Sequence, residues 1–409
     1  MSLRDPVEGA DASPLRRLGR YEVCRKIAEG GMAAVYVARH VEGPMAGQLV
    51  AIKKIRGEYA SSSEFVTMFI DEAKIASRLR HPNVVRHLEL GSDGGQAYLV
   101  MELLFGQSLW SVWDACRVRG RRLDFGTIAW IGARVASGLH YAHELRDDSG
   151  RPLDIVHRDV NATNIFVTYD GEIKVIDFGL AKAADRVSKT AAGIVKGKVA
   201  YMSPEQAVGA PIDRRSDVFA LGTTLWELAC DRRLFKDTDD VETLKRVHAA
   251  VVPDPRKLVD DFPPDLWRII DRALARDREK RYANAAVLAR DLDAFAAGQR
   301  GGPTETASGA ARSSLAELMR ELFSPGATGN DDAVDACELG ASALASAPED
   351  AAAVPVIAIP PPPHVAERSM GMRARGRLRV ARERASVVAV SVAVVVVTSA
   401  MLLATCATR

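Results

Sequence analysis

The residues of this chain that could do chemistry together lie between His157 and Asp177. The run His157-Arg158-Asp159-Val160-Asn161-Ala162-Thr163-Asn164 holds an aspartate able to take a proton from an incoming hydroxyl and an asparagine able to hold a metal ion. Asp177-Phe178-Gly179 follows thirteen residues after Asn164 and adds a second metal-binding aspartate. A base and two oxygen ligands are what moving a γ-phosphoryl group requires, because that chemistry depends on alignment and charge neutralisation. The segment between the motifs must bring Asn164 and Asp177 to one metal site. Ile165-Phe166-Val167, the turn Tyr169-Asp170-Gly171 and the run Ile173-Lys174-Val175-Ile176 read as a hairpin that does so.

Other elements must supply the phosphate donor site. Tyr21 to Ile27 is a strand-like run leading into Ala28-Glu29-Gly30-Gly31-Met32-Ala33-Ala34-Val35, which taken alone is no more than a hairpin turn. Val50-Ala51-Ile52-Lys53 follows, and strand alternation sends Ala51 and Lys53 to one face. A helix is expected from about Ser63 to Leu79, with Phe65, Phe69, Ala73, Ile75, Ala76 and Leu79 in helical spacing and Glu72 or the adjacent Asp71 as the candidate partner of Lys53. Gln96 to Leu104 reads as a strand running into a connector before Gly106, beyond which the pattern turns helical, with Ile128 to Leu145 amphipathic.

This order of motifs resembles that of bacterial eukaryotic-like (Hanks-type) serine/threonine protein kinases, over about Tyr21 to Gly298. The resemblance implies an α+β bilobal fold, a β-rich N-lobe with its helix C followed by a mainly helical C-lobe. It implies ATP as phosphate donor, with Ile27, Ala28, Glu29, Gly30, Gly31, Met32 and Ala33 forming the loop over its phosphates. Alanine stands at two positions of that loop where glycine is usual, Ala28 and Ala33. Lys53, fixed by an ion pair with Glu72, would hold the α- and β-phosphates. Val35, Ala51 and Phe166 would line the adenine pocket, with Met101 as gatekeeper and the backbone of Glu102 and Leu104 meeting adenine. Asp159 would be the base, and Asn164 and Asp177 would hold two Mg2+ ions, with Mn2+ as an alternative.

By the same resemblance, Leu180 to Val199 is an activation segment closed by Ser203-Pro204-Glu205, Glu205 pairs with Arg281, and Asp217 hydrogen-bonds the catalytic-loop backbone. Arg158 would receive a phosphate carried by Thr190, with Ser188 as second candidate. The acceptor would be a serine or threonine of a protein substrate, because the signatures of tyrosine kinases are absent. Two departures bear on activity. Asn161 and Ala162 stand where lysine and proline are usual, which removes a positive charge from the transition state, and Lys198 follows Gly197 where threonine is common. Lys198 could restore that charge. The competing reading is a membrane-tethered pseudokinase acting as an ATP-binding scaffold.

Composition permits this organisation, since 409 residues of which 47% are hydrophobic can bury more than one core. The 55 basic and 53 acidic residues nearly cancel, and no nucleic-acid partner is expected. The five cysteines form no Cys-x-x-Cys pair, which argues against a zinc site. Residues 1–20 are expected to be a disordered leader, and 21–298 the kinase domain, with lobes at about 21–103 and 106–298. Residues 299–372 read as flexible linker with one short helix at 314–323. That helix is opened by the capping pattern Ser314-Leu315-Ala316-Glu317, and packing on the C-lobe is favoured over docking of a partner. From Ala385 to Thr408 no residue is charged, so a helix there would span roughly 36 Å, enough to cross a bilayer. The transmembrane helix is set at 385–406, after the basic segment 373–384. Those arginines would place the kinase domain in the cytoplasm of a single-pass membrane protein. The anchor would favour self-association and autophosphorylation.

Overall fold

The computed structural model describes residues 17–30, 33–178, 198–301 and 304–323. The expected leader at 1–16, Gly31 and Met32, the segment 179–197 with Ser188 and Thr190, and everything from 324 onward, including the basic segment and 385–406, lie outside the described residues. Among the described residues no helix is long and apolar enough to cross a membrane.

The N-terminal lobe is an antiparallel sheet in the order β1-β2-β3-β4-β6-β5. Its strands are β1 (Arg17–Leu18), β2 (Tyr21–Glu29), β3 (Ala33–His40), β4 (Leu49–Ile55), β5 (His87–Asp93) and β6 (Gln96–Glu102). Alternation along β4 explains its two faces: Val50 and Ile52 pack with Leu18, Tyr21, Tyr98 and Val100, while Ile55 packs on the other side with Phe69, Ala73 and Leu99. Phe69 and Ala73 belong to α1 (Ser63–Ala76), which buries that stripe against the sheet. The expected leader is corrected at its end, because Leu18 is buried and β1 pairs Arg17 with Glu22. Leu18 is an isolated apolar residue among charges, so no periodic signal marked it.

The larger core belongs to the C-terminal lobe. Its main helices are α2 (Leu109–Val118), α3 (Phe125–His143), α4 (Arg215–Cys230), α5 (Asp240–Ala249), α6 (Pro264–Ala273), α7 (Ala285–Arg300) and α8 (Thr304–Leu322). Side-chain caps start the first two of them, Ser108 accepting from the Ser111 amide and Asp124 from the Thr127 amide. Every residue of α4 after Arg215 is buried, which makes it the central helix on which the lobe is assembled. A small sheet of β7 (Gly106–Ser108), β8 (Ile165–Thr168) and β9 (Ile173–Val175) faces the N-lobe. Gly106 is required where the connector meets this sheet, because a Cβ there would lie 2.0 Å from the Val167 carbonyl oxygen.

The expected flexible linker and short helix are also corrected. Helix α8 begins at Thr304 rather than Ser314, and Ser314 lies in its middle. Ala307, Ala311, Leu315, Met319 and Leu322 form its buried stripe, with Ser308 Oγ accepting from Trp130 Nε1 at 2.9 Å and the Leu322 carbonyl from Arg119 at 2.8 Å. The serine, threonine and glycine content of 304–312 is poor for an isolated helix, and burial against the C-lobe overrides it.

Candidate active site

The catalytic-loop backbone takes an unusual shape that a buried carboxylate holds in place. Arg158 adopts φ +70°, and Asp217, fully buried at the start of α4, accepts from the His157 amide at 2.8 Å and the Arg158 amide at 2.7 Å. His143 Nε2 lies 2.7 Å from the same carboxylate. Burial pushes the Asp217 carboxyl up, but the hydrogen bond and charge of His143, with His157 and the Arg158 amide, outweigh it and hold the group below the ordinary carboxylate range. A side chain that accepts both amides of a left-handed turn repays the backbone strain of a non-glycine residue there. Gln206 adds a second tie, its Nε2 donating to the Arg158 carbonyl at 3.2 Å.

Asp159 follows on this framework. Asn164 Nδ2 donates to its carboxylate at 2.9 Å and its carbonyl at 2.8 Å. The β8–β9 hairpin then returns the chain, and the Ile176 amide donates to the Asn164 carbonyl at 3.0 Å, which sets Asn164 beside the approach to Asp177. Asp177 has φ +60°, and its carboxylate accepts from Lys53 Nζ at 2.7 Å. Phe178 is buried edge-on against His157, with ring centroids 4.6 Å apart. Asp159, Asn164, Asp177 and Lys53 are therefore brought together by this chain of hydrogen bonds, Lys53 from the N-lobe sheet and the others from the ends of the β8–β9 hairpin.

The expected Lys53–Glu72 ion pair is not formed, and this corrects the sequence reading. Among the described residues no ion pair within 4.0 Å reaches Glu72, and Lys53 is paired with Asp177 instead. In this arrangement burial pushes the Glu72 carboxyl up to about 8, against the opposing pull of Lys53.

The adenine-side residues share one wall. Val35 pairs with Lys53 across β3 and β4, and Val37 with Ala51, so Val35 and Ala51 sit near the lysine. Met101 pairs with Ala51 and with His87. Phe166 on β8 is half-buried and pairs with Ser108 and Lys174. Ile27 packs with Val37 and Leu103. In the phosphate loop Ala28 pairs with Val35 and Glu29 with Ala34, Glu29 meets Lys26 at 2.7 Å, and the Gly30 amide donates to the Ala33 carbonyl at 2.8 Å. The Glu102 carboxylate accepts from Lys174 of β9 at 3.0 Å and from the Arg86 amide at 2.8 Å, while Leu104 continues the connector. No local spacing marks the Glu102 and Lys174 pair, which ties the connector to the sheet of β7, β8 and β9. Lys198 opens a short 3-10 turn, and its side chain lies outside the described residues.

At the far side of the site, Arg281 donates to both oxygens of Glu205 at 2.7 and 2.8 Å, and Glu205 also accepts from Ser216 at 2.7 Å. Tyr201 donates to Glu227 at 2.8 Å, and Arg233 Nε donates to the same carboxylate at 3.1 Å. His143, Gln206 and the Tyr201–Glu227–Arg233 group were missed in the sequence, because nothing in their local spacing indicates that their partners lie across the fold.

The chain matches the protein kinase domain family model over residues 21–292. Among curated proteins it is 39% identical over 294 residues to the tyrosine-protein kinase MasK of Myxococcus xanthus, covering 71% of this chain and 45% of that protein. It is 34% identical to the serine/threonine-protein kinase PknA of Mycobacterium tuberculosis, covering 69% and 62%. It is 35% identical to the serine/threonine-protein kinase PrkC of Bacillus subtilis, covering 67% and 40%. The chain spans about half the length of the curated relatives it matches. The solved kinase domain of M. tuberculosis PknI shares its fold, with a TM-score of 0.52 at 24% identity over 69% of this chain and 98% of that one.

Proposed function

This chain belongs to the protein kinase family, and we propose that it transfers the γ-phosphoryl group of ATP to serine or threonine hydroxyls of proteins. The observation that carries the proposal is the convergence of Asp159, bonded to Asn164 at 2.9 Å, with Asp177, bonded to Lys53 at 2.7 Å. The donor set fits Mg2+, because Asn164 turns its amide nitrogen to Asp159, so its side-chain oxygen is the atom left for a cation beside the Asp177 carboxylate. When bound, the ion neutralises phosphate charge. Asp159 orients the acceptor hydroxyl and takes its proton as the oxygen bonds to the γ-phosphorus; the bond to the β–γ bridging oxygen breaks and ADP leaves. Lys53 holds the donor phosphates, and moves from Asp177 towards Glu72 when Glu72 ionises. The wall of Val35, Ala51, Met101 and Phe166 takes adenine against the connector at Glu102 and Leu104.

Serine or threonine is favoured by the names of PknA and PrkC, whereas MasK is named a tyrosine kinase. Phosphoamino-acid analysis of a protein labelled with γ-labelled ATP decides the point: phosphoserine or phosphothreonine supports the proposal, and phosphotyrosine alone overturns it. The uncharged run 385–406 further supports a single membrane anchor with a cytoplasmic catalytic domain. Self-association there would favour phosphorylation of Thr190 or Ser188, whose charge Arg158 would receive. Recovery of the full chain in the soluble fraction of cells would overturn the anchor.

A further inference from the structure

We propose that Asn161 is a positioning residue that locks the base Asp159 through its side-chain amide, rather than a gap left by a missing phosphate-binding cation. The inference rests on the kinase reading above. Asn161 is only 3% exposed. Its Nδ2 donates to the Asp159 carboxylate oxygen Oδ1 at 2.9 Å and to the Asp159 carbonyl at 3.0 Å. Its Oδ1 accepts from the Thr163 amide at 2.8 Å and from the Thr163 hydroxyl. The backbone amide of Thr163 can only donate, so it fixes which end of the Asn161 amide faces it and leaves the N–H end for Asp159.

Asn164 repeats the pattern on the other side, with Nδ2 donating to Asp159 Oδ2 at 2.9 Å. Each oxygen of the proposed base thus receives an N–H from a different asparagine, and both amides also grip the Asp159 carbonyl. Two side chains that bond both the backbone and the carboxylate of one residue restrict its side-chain rotation. That restriction keeps the carboxylate aimed at an incoming hydroxyl, where a misplacement of about 1 Å can cost on the order of a hundredfold in rate.

Lysine, asparagine's usual counterpart here, has no acceptor for the Thr163 amide. Asn161→Lys removes that acceptor and must fit a longer side chain at a position only 3% exposed. Lysine at this position is therefore expected to lower the rate, although it would return the positive charge that Asn161 removes.

The test compares kcat and the KM for ATP of the full chain, with peptide substrate saturating, for wild type, Asn161→Asp, Asn161→Ala, Asn161→Lys and Asp159→Asn. Asn161→Asp is nearly isosteric and can still accept from Thr163, but it presents an acceptor to the Asp159 carboxylate. It is expected to lose about ten- to hundredfold in kcat with KM for ATP within about twofold. Asn161→Ala should behave similarly, and Asn161→Lys should fall below wild type. Wild-type kcat in Asn161→Asp, or a kcat raised by Asn161→Lys, overturns the proposal. So does loss of ATP affinity together with kcat in both Asn161→Asp and Asn161→Ala, which would make the residue merely structural. If Asp159→Asn itself remains active, the kinase reading of the site fails, an outcome distinct from normal Asn161 variants beside an inactive Asp159→Asn.

Discussion

Replacing Arg281 by methionine keeps most of its apolar volume and removes a guanidinium whose five N–H groups are all engaged. Nε donates to the Ala275 carbonyl at 2.8 Å, one amino group to Glu205 at 2.7 Å and the Arg215 carbonyl at 3.2 Å, and the other to Glu205 at 2.8 Å and the Arg276 carbonyl at 3.1 Å. The side chain is fully enclosed and lies 4.8 Å above the Phe219 ring. Arg281→Met therefore strands Glu205 with the Ser216 hydroxyl, and breaking a buried pair in this way costs about 3–5 kcal/mol. For a domain of this size, that corresponds to a fall in Tm of about 5–8 °C at pH 7. The loss must also depend on pH. Burial pushes Glu205 up, but the hydrogen bonds and charge of Arg281 prevail and bring it from its ordinary 4.5 down to about 2. In the wild type that stabilisation is present above pH 4.5 and lost as pH falls through 4.5 towards 2. In the variant, burial is opposed only by the Ser216 hydroxyl and a backbone amide, and acid disfavours the fold less than in the wild type. Thermal melts of both proteins at pH 7 and pH 4 should show a gap that narrows on acidification, and adding Glu205→Leu to Arg281→Met should recover much of the loss. A Tm at pH 7 unchanged within about 2 °C, or a gap independent of pH, refutes the reasoning.

Three further outcomes are expected. Lys53→Met removes a phosphate contact and no core packing, so turnover should fall at least about a hundredfold while the Tm moves little; normal ATP turnover would misplace the site. Glu72 contributes stability while protonated, present below pH 4.5 and lost as pH rises from there through about 8. Glu72→Gln cannot ionise, so its Tm relative to wild type should climb between pH 6 and pH 9, and parallel curves would contradict the buried, neutral carboxyl. Truncation after Arg300 removes α8 and uncovers the core facing Leu315, Met319 and Leu322, at about 1.5–3 kcal/mol for each large side chain. Such a protein should melt well below one ending at Phe323, and equal melting temperatures would show that α8 contributes nothing to the lobe.

Much of the site was legible because its chemistry is short-range in sequence. Asp159 and Asn164 sit on one loop, a hairpin of apolar alternation leads to Asp177, and Lys53 stands on an alternating strand. The partner of Lys53 was not legible. The spacing of Glu72 identifies a residue that can face the lysine, but burial decides its protonation, and burial depends on how α1 packs against β4, β5 and β6. The contacts of Asn161 were not legible for a related reason, since as a residue type it shows only the absence of a charge. Its four hydrogen bonds exist because the loop turns back on Asp159 and Thr163. At the periphery, Leu18 and the first half of α8 carry too little apolar pattern to mark structure that tertiary contacts create.

The central claim is that Asp159 serves phosphoryl transfer in the cleft that also holds Lys53 and Asp177. Incubating the full chain with γ-labelled ATP, Mg2+ and a generic basic protein, beside Asp159→Asn, tests it most directly. Label on protein hydroxyls is expected with the wild type, and about a hundredfold less or none with Asp159→Asn, while both bind nucleotide equally. Equal labelling by the two proteins, or nucleotide binding with no transfer by the wild type, would contradict it.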